Sequence, residues 1–380
     1  MKLALLQELS AVDDERAVSR GLMTRLHLDL PLLLGILTVA VLGLTVLYSA
    51  SHMNPQLVVR QCIHVLLGLI VMFVLAQVPP HLMRSWALSL YLFGTLLLIA
   101  VLLIGSVGKG AQRWLDLGVI RFQPSELMRL AVPMMMATYF SNKPLPPRFK
   151  HMAIAVLITG TPFLLIVKQP DLGTALLIAM SGIFVLFLAG LSWFIIIGLG
   201  VVAATGAPMF WTFIMHDYQR QRVLTFLNPE SDPLGTGWNI IQSKIAIGSG
   251  GLYGKGWLNS TQSRLDFLPE SSTDFIVGVF AEEFGLVGLC LLLLVYLFII
   301  ARGLYIAGQA TDAFSRLLAG SLSLIFFVYV FVNVGMVSGI LPVVGLPLPL
   351  VSYGGTALVT IMAGFGILMS IATHRKQDSR

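Results

Sequence analysis

Apolar runs of about 20 residues recur along the chain, and each is long enough to cross a hydrocarbon core of about 30 Å as a helix. Ten can be drawn, at roughly 28–50, 60–78, 84–106, 124–141, 151–167, 171–190, 192–213, 273–300, 317–338 and 354–372. The pattern predicts an all-α integral membrane protein with about ten transmembrane helices. One polar interval breaks the rhythm. Residues 214–272 form a large loop between helices 7 and 8, far longer than a plain connection. Within it, LNPESDPLGTG is turn material, and 240–247 alternates polar and apolar faces as a helix lying in the membrane interface would. The chain 1–380 reads as a single polytopic membrane domain with tails at 1–27 and 373–380.

Composition agrees: 57% of residues are hydrophobic, 11% are charged and mean hydropathy is +0.87. Soluble domains carry about a quarter charged residues. No small-residue cleavage site follows the first apolar run, so a removable signal peptide is not expected. Cys62 and Cys290 both sit inside apolar runs and read as core thiols, without a disulfide framework or a metal cluster. With the N-terminus inside, inner segments hold 13 of the 24 Lys and Arg residues, and five of the other 11 lie in the long loop. Short loops then favour both termini on the cytoplasmic side.

Acids collect at the outer ends of the even-numbered runs. LDFLPESSTDF closes the long loop and delivers Asp274 to the start of the eighth helix. Ser271 lies three residues earlier, so Asp274 reads either as part of a capping box or as a reactive acid. Gln123, Pro124, Ser125 and Glu126 open the fourth helix, where proline and an acid both suit the first turn. Glu126 is then a cap paired with Arg129, or a cavity acid beside it. Lys168, Gln169, Pro170 and Asp171 repeat the pattern at the sixth, with a Lys168–Asp171 pair as the plainer alternative. Before the tenth helix, LPVVGLPLPLVSYGG predicts an extended or re-entrant segment. Ser352 and Tyr353 there line a site, or the glycines serve close helix packing. Glu282 and Glu283 lie deeper on the eighth helix; Glu282 is expected to share the Asp274 cavity, in a hydrogen-bonding role.

Cations on the outer side ask for an explanation of their own. Lys109 and Arg113 lie in a short loop that also contains Trp114, while Arg220, Arg222 and Lys244 lie in the long one. They are interfacial anchors, or a basic rim for a phosphate-bearing lipid. GSGGLYGKG at 248–256 departs from a nucleotide-binding P-loop at its first glycine, Ser249, and at the residue after the lysine, Gly256. Its glycines instead predict close backbone approach to a ligand or a membrane surface. Nothing points to nucleic acid.

Taken in order, KGAQRWLDLG, RFQPSE, QPDLGTA, YQRQR, GWNIIQSKIAIGSGGLYGKG, FLPESSTDFI, AEEFG and LPLVSYGG resemble the SEDS proteins (shape, elongation, division and sporulation) across the whole chain. Short tails and Val343–Val344, where the division branch carries a Thr-Lys pair, are more similar to the elongation branch. The resemblance implies a peptidoglycan glycosyltransferase that polymerises lipid II at the outer face of the bacterial cytoplasmic (inner) membrane, working with a class B penicillin-binding protein within the elongation machinery. It also implies Asp274 as catalytic acid-base residue, with Glu126, Arg129 and Asp171 as cavity positions. Arg129 departs from the family's usual lysine, which keeps the charge but not the geometry. Lys109, Arg113, Arg220, Arg222 and Lys244 are the candidates to hold the undecaprenyl pyrophosphate. A divalent cation such as Mg or Mn would suit acids beside a pyrophosphate, although no ligand cluster marks a site. The competing reading is a flippase for the lipid-linked precursor, and a further one a non-catalytic scaffold.

Overall fold

The computed structural model describes residues 26–108, 111–116, 121–215, 217–231, 236–268 and 270–374. Each of the ten predicted runs coincides with a helix. In chain order these are α1 (Leu30–Ala50), α2 (Pro55–Gln77), α3 (Pro80–Ile104), α4 (Pro124–Ser141), α5 (Phe149–Lys168), α6 (Leu172–Leu188) and α7 (Trp193–Met209). The long loop contributes α8 (Asp217–Leu227), α9 (Thr236–Ser249) and the single turn α10 (Thr261–Arg264), before α11 (Ile276–Gln309), α12 (Ala313–Val337) and α13 (Gly355–His374) complete the bundle. Seven of the ten are long and apolar enough to span a membrane by length and composition. The other three are α4, α6 and α7, of 18, 17 and 17 residues. A small antiparallel sheet follows α3, with β1 (Ser106–Gly108), β2 (Ala111–Asp116) and β3 (Arg121–Phe122) in sequence order. The apolar periodicity gave no warning of it.

The surface is apolar because its solvent is lipid: Leu66, Phe93, Leu96, Val156 and Leu297 are all more than half exposed. Cys62 and Cys290 are exposed as well. They are not the core thiols expected from their apolar neighbours, since in a membrane helix both faces are apolar and periodicity cannot separate them. The centre belongs to α12, which buries Ser321, Ser323 and Asn333 along with its aliphatic face. At the end of the bundle where α1 starts and α13 ends, Asp29 caps α1 and receives a two-pronged contact from Arg302 on α11, at 3.0 and 2.7 Å.

The long loop is folded onto the bundle. α9 does carry an amphipathic face, but that face packs on the protein instead of resting in the interface. Ile240, Ser243 and Ala246 are buried, and Ser243 Oγ donates to Val337 O at 2.8 Å at the end of α12. The glycine-rich stretch that follows approaches its own protein, not a ligand. α11 is interrupted at Gly285, whose φ of 67° and ψ of −167° suit only glycine. The interruption frees the carbonyls of Glu282 and Glu283 and the amides of Leu286 and Val287. All four are satisfied by the loop backbone: Lys255 N and Gly256 N donate to the carbonyls at 2.9 and 3.0 Å, while Gly251 O and Leu252 O accept from the amides, both at 3.0 Å. Unpaired groups at that depth would each cost several kcal/mol, about what an unsatisfied backbone group costs in hydrocarbon. Contact this close requires glycine on the loop side too, for a Cβ on Gly254 would stand 2.1 Å from Glu283 O. Gly285→Ala is therefore expected to destabilise the protein by at least about 1–3 kcal/mol, from backbone strain alone. A lowered midpoint in a thermal unfolding scan would register it.

Candidate active site

Two polar clusters occupy one end of the bundle. The first joins β2, α4 and α6. Proline at the first position of α4 sets Glu126 in its opening turn, and Arg129 follows one turn later. Arg129 Nη1 donates to Glu126 Oε2 at 2.6 Å and Nη2 to Thr174 Oγ1 at 3.1 Å, while its guanidinium lies 5.1 Å from the Tyr329 ring centroid. Asp171 caps α6, accepting from Thr174 N at 3.2 Å, and its other oxygen accepts from Gln123 Nε2 at 3.3 Å. The cation beside it is Arg113, with Nε at 3.6 Å; Arg113 also donates to Pro170 O at 2.7 Å. Lys168 is not that partner, because it ends α5 on an exposed face while Asp171 turns inward. Glu126, Arg129 and Asp171 are all buried. Buried charges persist only when paired and hydrogen-bonded, and this network supplies such partners from three elements.

Several donors in this cluster are left over. Arg129 Nε, Ser125 Oγ and Tyr329 Oη are buried without a hydrogen-bond partner, and Arg113 Nε meets Asp171 only as the 3.6 Å ion-pair contact. Every one of them can donate, so the cluster as built favours a ligand rich in acceptors.

The second cluster surrounds Asp274. The capping-box alternative does not describe it: α11 begins at Ile276, its N-cap is Phe275, and no side chain bonds there. Ser271 Oγ instead donates to Ala50 O at 3.2 Å. The turn bearing Asp274 is held from behind by the irregular segment 341–354, which is extended as expected and largely buried. Ser352 Oγ donates to Thr273 O at 2.6 Å and accepts from Leu348 N at 2.8 Å, and Tyr353 N donates to Ser272 O at 2.9 Å. Ser352 thus fastens the turn and does not present its hydroxyl to a ligand. Tyr353 is half-buried with its ring 6.1 Å from that of His64. Ser352→Ala should lose both hydroxyl bonds, costing about 1–3 kcal/mol. It should slow turnover with little change in the apparent Michaelis constant, as steady-state rates against substrate concentration would reveal.

Segment 341–354 also bridges the clusters. Val344 packs on Gly173 at the start of α6, and with Arg113, Asp171 and Pro342 it lines a cavity of about 120 Å³. At the next residue, Gly345, Asp274 Oδ2 lies 3.5 Å from where a Cβ would stand. Asn333 clasps both sides, its Nδ2 donating to Asp274 O at 2.9 Å and to Leu346 O at 2.6 Å. Gln61 secures the far end, donating to Ser352 O at 3.2 Å and accepting from Gly354 N at 3.3 Å. Sequence reasoning missed Asn333, Gln61, Thr174 and Tyr329. For Asn333 the available signal was an amide inside an apolar run, which is costly in a membrane and therefore partnered.

The remaining candidates are dispersed. Arg220 bonds Trp211 O and Thr212 O, both at 2.9 Å, and so closes the segment that extends α7. It serves the chain's own carbonyls, because the turn into α8 brings its guanidinium under that helix end. Lys244 is exposed on α9 and lays its aliphatic stem over Gly339. Lys109 lies outside the described residues, as does the side chain of Arg222. Glu282 does not share the Asp274 cavity but turns to the loop. It accepts from Lys255 Nζ at 2.6 Å, Ser260 Oγ at 2.6 Å, Thr261 N at 2.9 Å and Thr261 Oγ1 at 2.7 Å. Glu283 accepts from Ser49 Oγ on α1. Among the described residues no group of three His, Cys, Asp or Glu side chains converges as a metal site.

Known proteins resemble this chain along nearly its full length. The chain is 56% identical to the peptidoglycan glycosyltransferase MrdB of Escherichia coli K12, over 94% of this chain and 96% of that one. It is 37% identical to FtsW of Trichlorobacter lovleyi, over 92% and 94%. Among solved structures, one from a study of how a peptidoglycan synthase complex coordinates polymerisation and crosslinking superposes with a TM-score of 0.81 at 32% identity, covering 92% of this chain and 99% of that one. The rod-shape-determining protein RodA of Thermus thermophilus gives 0.69 at 30%, covering 92% and 97%. A family model described as "Cell cycle protein", for FtsW, RodA and SpoVE, matches residues 23–377. With the motifs, the ten-helix bundle and these matches in agreement, the chain belongs to the FtsW, RodA and SpoVE family, the SEDS proteins.

Proposed function

We propose that this protein is a peptidoglycan glycosyltransferase that polymerises lipid II at the outer face of the bacterial inner membrane, with both termini in the cytoplasm. Relatives of this length and identity carry that activity in their names, and the flippase alternative is not favoured. The observation that carries the site assignment is the pairing of a fastened Asp274 turn with a neighbouring cluster of unused buried donors.

Asp274 takes the proton of the acceptor sugar hydroxyl as that oxygen attacks the anomeric carbon of the donor. The bond to undecaprenyl pyrophosphate breaks in the same displacement, so the α-linked donor gives a β-linked product and no enzyme-bound sugar forms. Charge gathers on the departing pyrophosphate, and Arg113 and Arg129 are placed to stabilise it. Buried donors whose orientation is already fixed need little reorganisation during the reaction, which is where electrostatic catalysis gains most. A class B penicillin-binding protein consumes the strand by crosslinking it, in keeping with the synthase complex among the solved relatives.

The test uses the purified full chain with labelled lipid II in detergent, free of any partner's own polymerase. Glycan ladders on a gel support the reading. Absence of polymer, together with movement of the precursor across vesicles holding the same protein, defeats it in favour of transport.

A further inference from the structure

At the opposite end of α11 from Asp274, a cavity of about 670 Å³ opens among the ends of α2, α3, α11, α12 and α13. The polymerisation chemistry uses none of its residues. Gln77, His81, Arg84, Asp312, Ser315 and His374 supply its polar wall. Two helices start there, α3 and α12, and a helix start presents unbonded amides and the positive end of its dipole. α3 begins at Pro80 with no side-chain cap. Among the described residues the one acid in the wall is Asp312, engaged as the cap of α12 with its Oδ2 accepting from Ser315 N at 2.9 Å.

A second feature is independent of the helix ends. Ser315 Oγ is in a residue only 3% exposed, lies in the cavity wall and has no hydrogen-bond partner. Arg84 gives one guanidinium nitrogen to Asn142 and also lines the cavity. Arginine, two histidines and a buried hydroxyl form a donor set suited to phosphate oxygens. The surroundings favour a lipid phosphate over a soluble one. Trp86, half exposed, follows Arg84 on α3, and the outward sides of α2 and α3 expose Ile70, Phe73 and Leu82 beside it. Tryptophan at that level and aliphatic faces beyond it match a headgroup and its acyl chains.

We infer that this cavity holds the phosphodiester headgroup of an anionic lipid from the leaflet on the side where α1 starts and α13 ends. The full-length protein in detergent is titrated with dioleoyl phosphatidylglycerol, then with the phosphatidylcholine analogue, and read by native mass spectrometry. The anionic lipid should be retained about tenfold more strongly, the scale of a charge-assisted hydrogen bond. Arg84→Gln combined with His81→Ala should reduce retention to that of phosphatidylcholine, and Ser315→Ala should reduce it in part. Arg84→Gln alone serves if the double variant elutes as aggregate. Arg148→Ala removes an exposed cation on the same face outside the cavity and should change nothing. The proposal is overturned if phosphatidylglycerol has no advantage, if Arg148→Ala loses as much as Arg84→Gln, or if inorganic phosphate displaces the lipid.

Discussion

Asp274→Asn should lower the rate of lipid II polymerisation by about 10²–10⁴-fold, the contribution of a positioned proton-transfer group. Stability should move by less than about 1 kcal/mol, in the range of a substitution that breaks no packing. The two expectations separate because the structure divides the labour. The turn is secured through backbone groups, with Asn333 holding Asp274 O and Ser352 holding Thr273 O. The half-buried carboxylate is not the cap of α11, whose N-cap makes no side-chain bond. Asparagine keeps the shape and removes the basicity. Glycan ladders and a thermal unfolding curve on the same preparation check both halves, and a variant that polymerises at the original rate would remove Asp274 from the chemistry.

The second large effect is on architecture. Glu282→Ala should destabilise the protein by about 1–3 kcal/mol, the cost of leaving buried donors without their acceptor, and should open residues 250–264 to protease. Glu282 is fully buried and gathers Lys255, Ser260 and Thr261 around one carboxylate. Removing it leaves Ser260 Oγ, Thr261 N and Thr261 Oγ1 without their common acceptor, while the exposed Lys255 can turn to solvent. Glu282→Gln keeps acceptor geometry at one oxygen and should recover part of the loss. Limited proteolysis followed by mass analysis distinguishes the two variants. Polymerisation should fall with the alanine variant as well, since the same loop runs on into the Asp274 turn.

The ten helices were legible because a span in lipid must be uniformly apolar for about 20 residues, a signal that no soluble helix gives so plainly. Glu126 and Arg129 were legible as neighbours because their spacing places them on one helical face. Asp171 was visible as an acid at a helix start, but the one cation offered for it, as the plainer alternative, was Lys168. Lys168 is near in sequence and Arg113 is near in space, and only the sheet after α3 brings the latter across. Glu282 was misdirected for a related reason: helical angle from Asp274 assumes an unbroken helix, and the chain between them begins α11 only at Ile276. Ser352 was recognised as polar at a sensitive place, yet sequence does not distinguish a hydroxyl that meets substrate from one that ties down a turn. The glycines at 250–256 announced a close approach without saying to what.

The break in α11 divides more than geometry. Residues 276–284 are joined to the rest of the helix through Gly285, and the bonds that would normally pass across that point run sideways into the loop. Cooperative opening follows hydrogen-bond connectivity. The first nine residues of α11 should therefore exchange their amide protons in step with the stretch from 250 to 264, on a timescale distinct from that of residues 288–309. A disturbance arriving at the loop from outside the membrane would then travel to the reactive turn as the motion of one small foldon, with the long helix behind it left at rest.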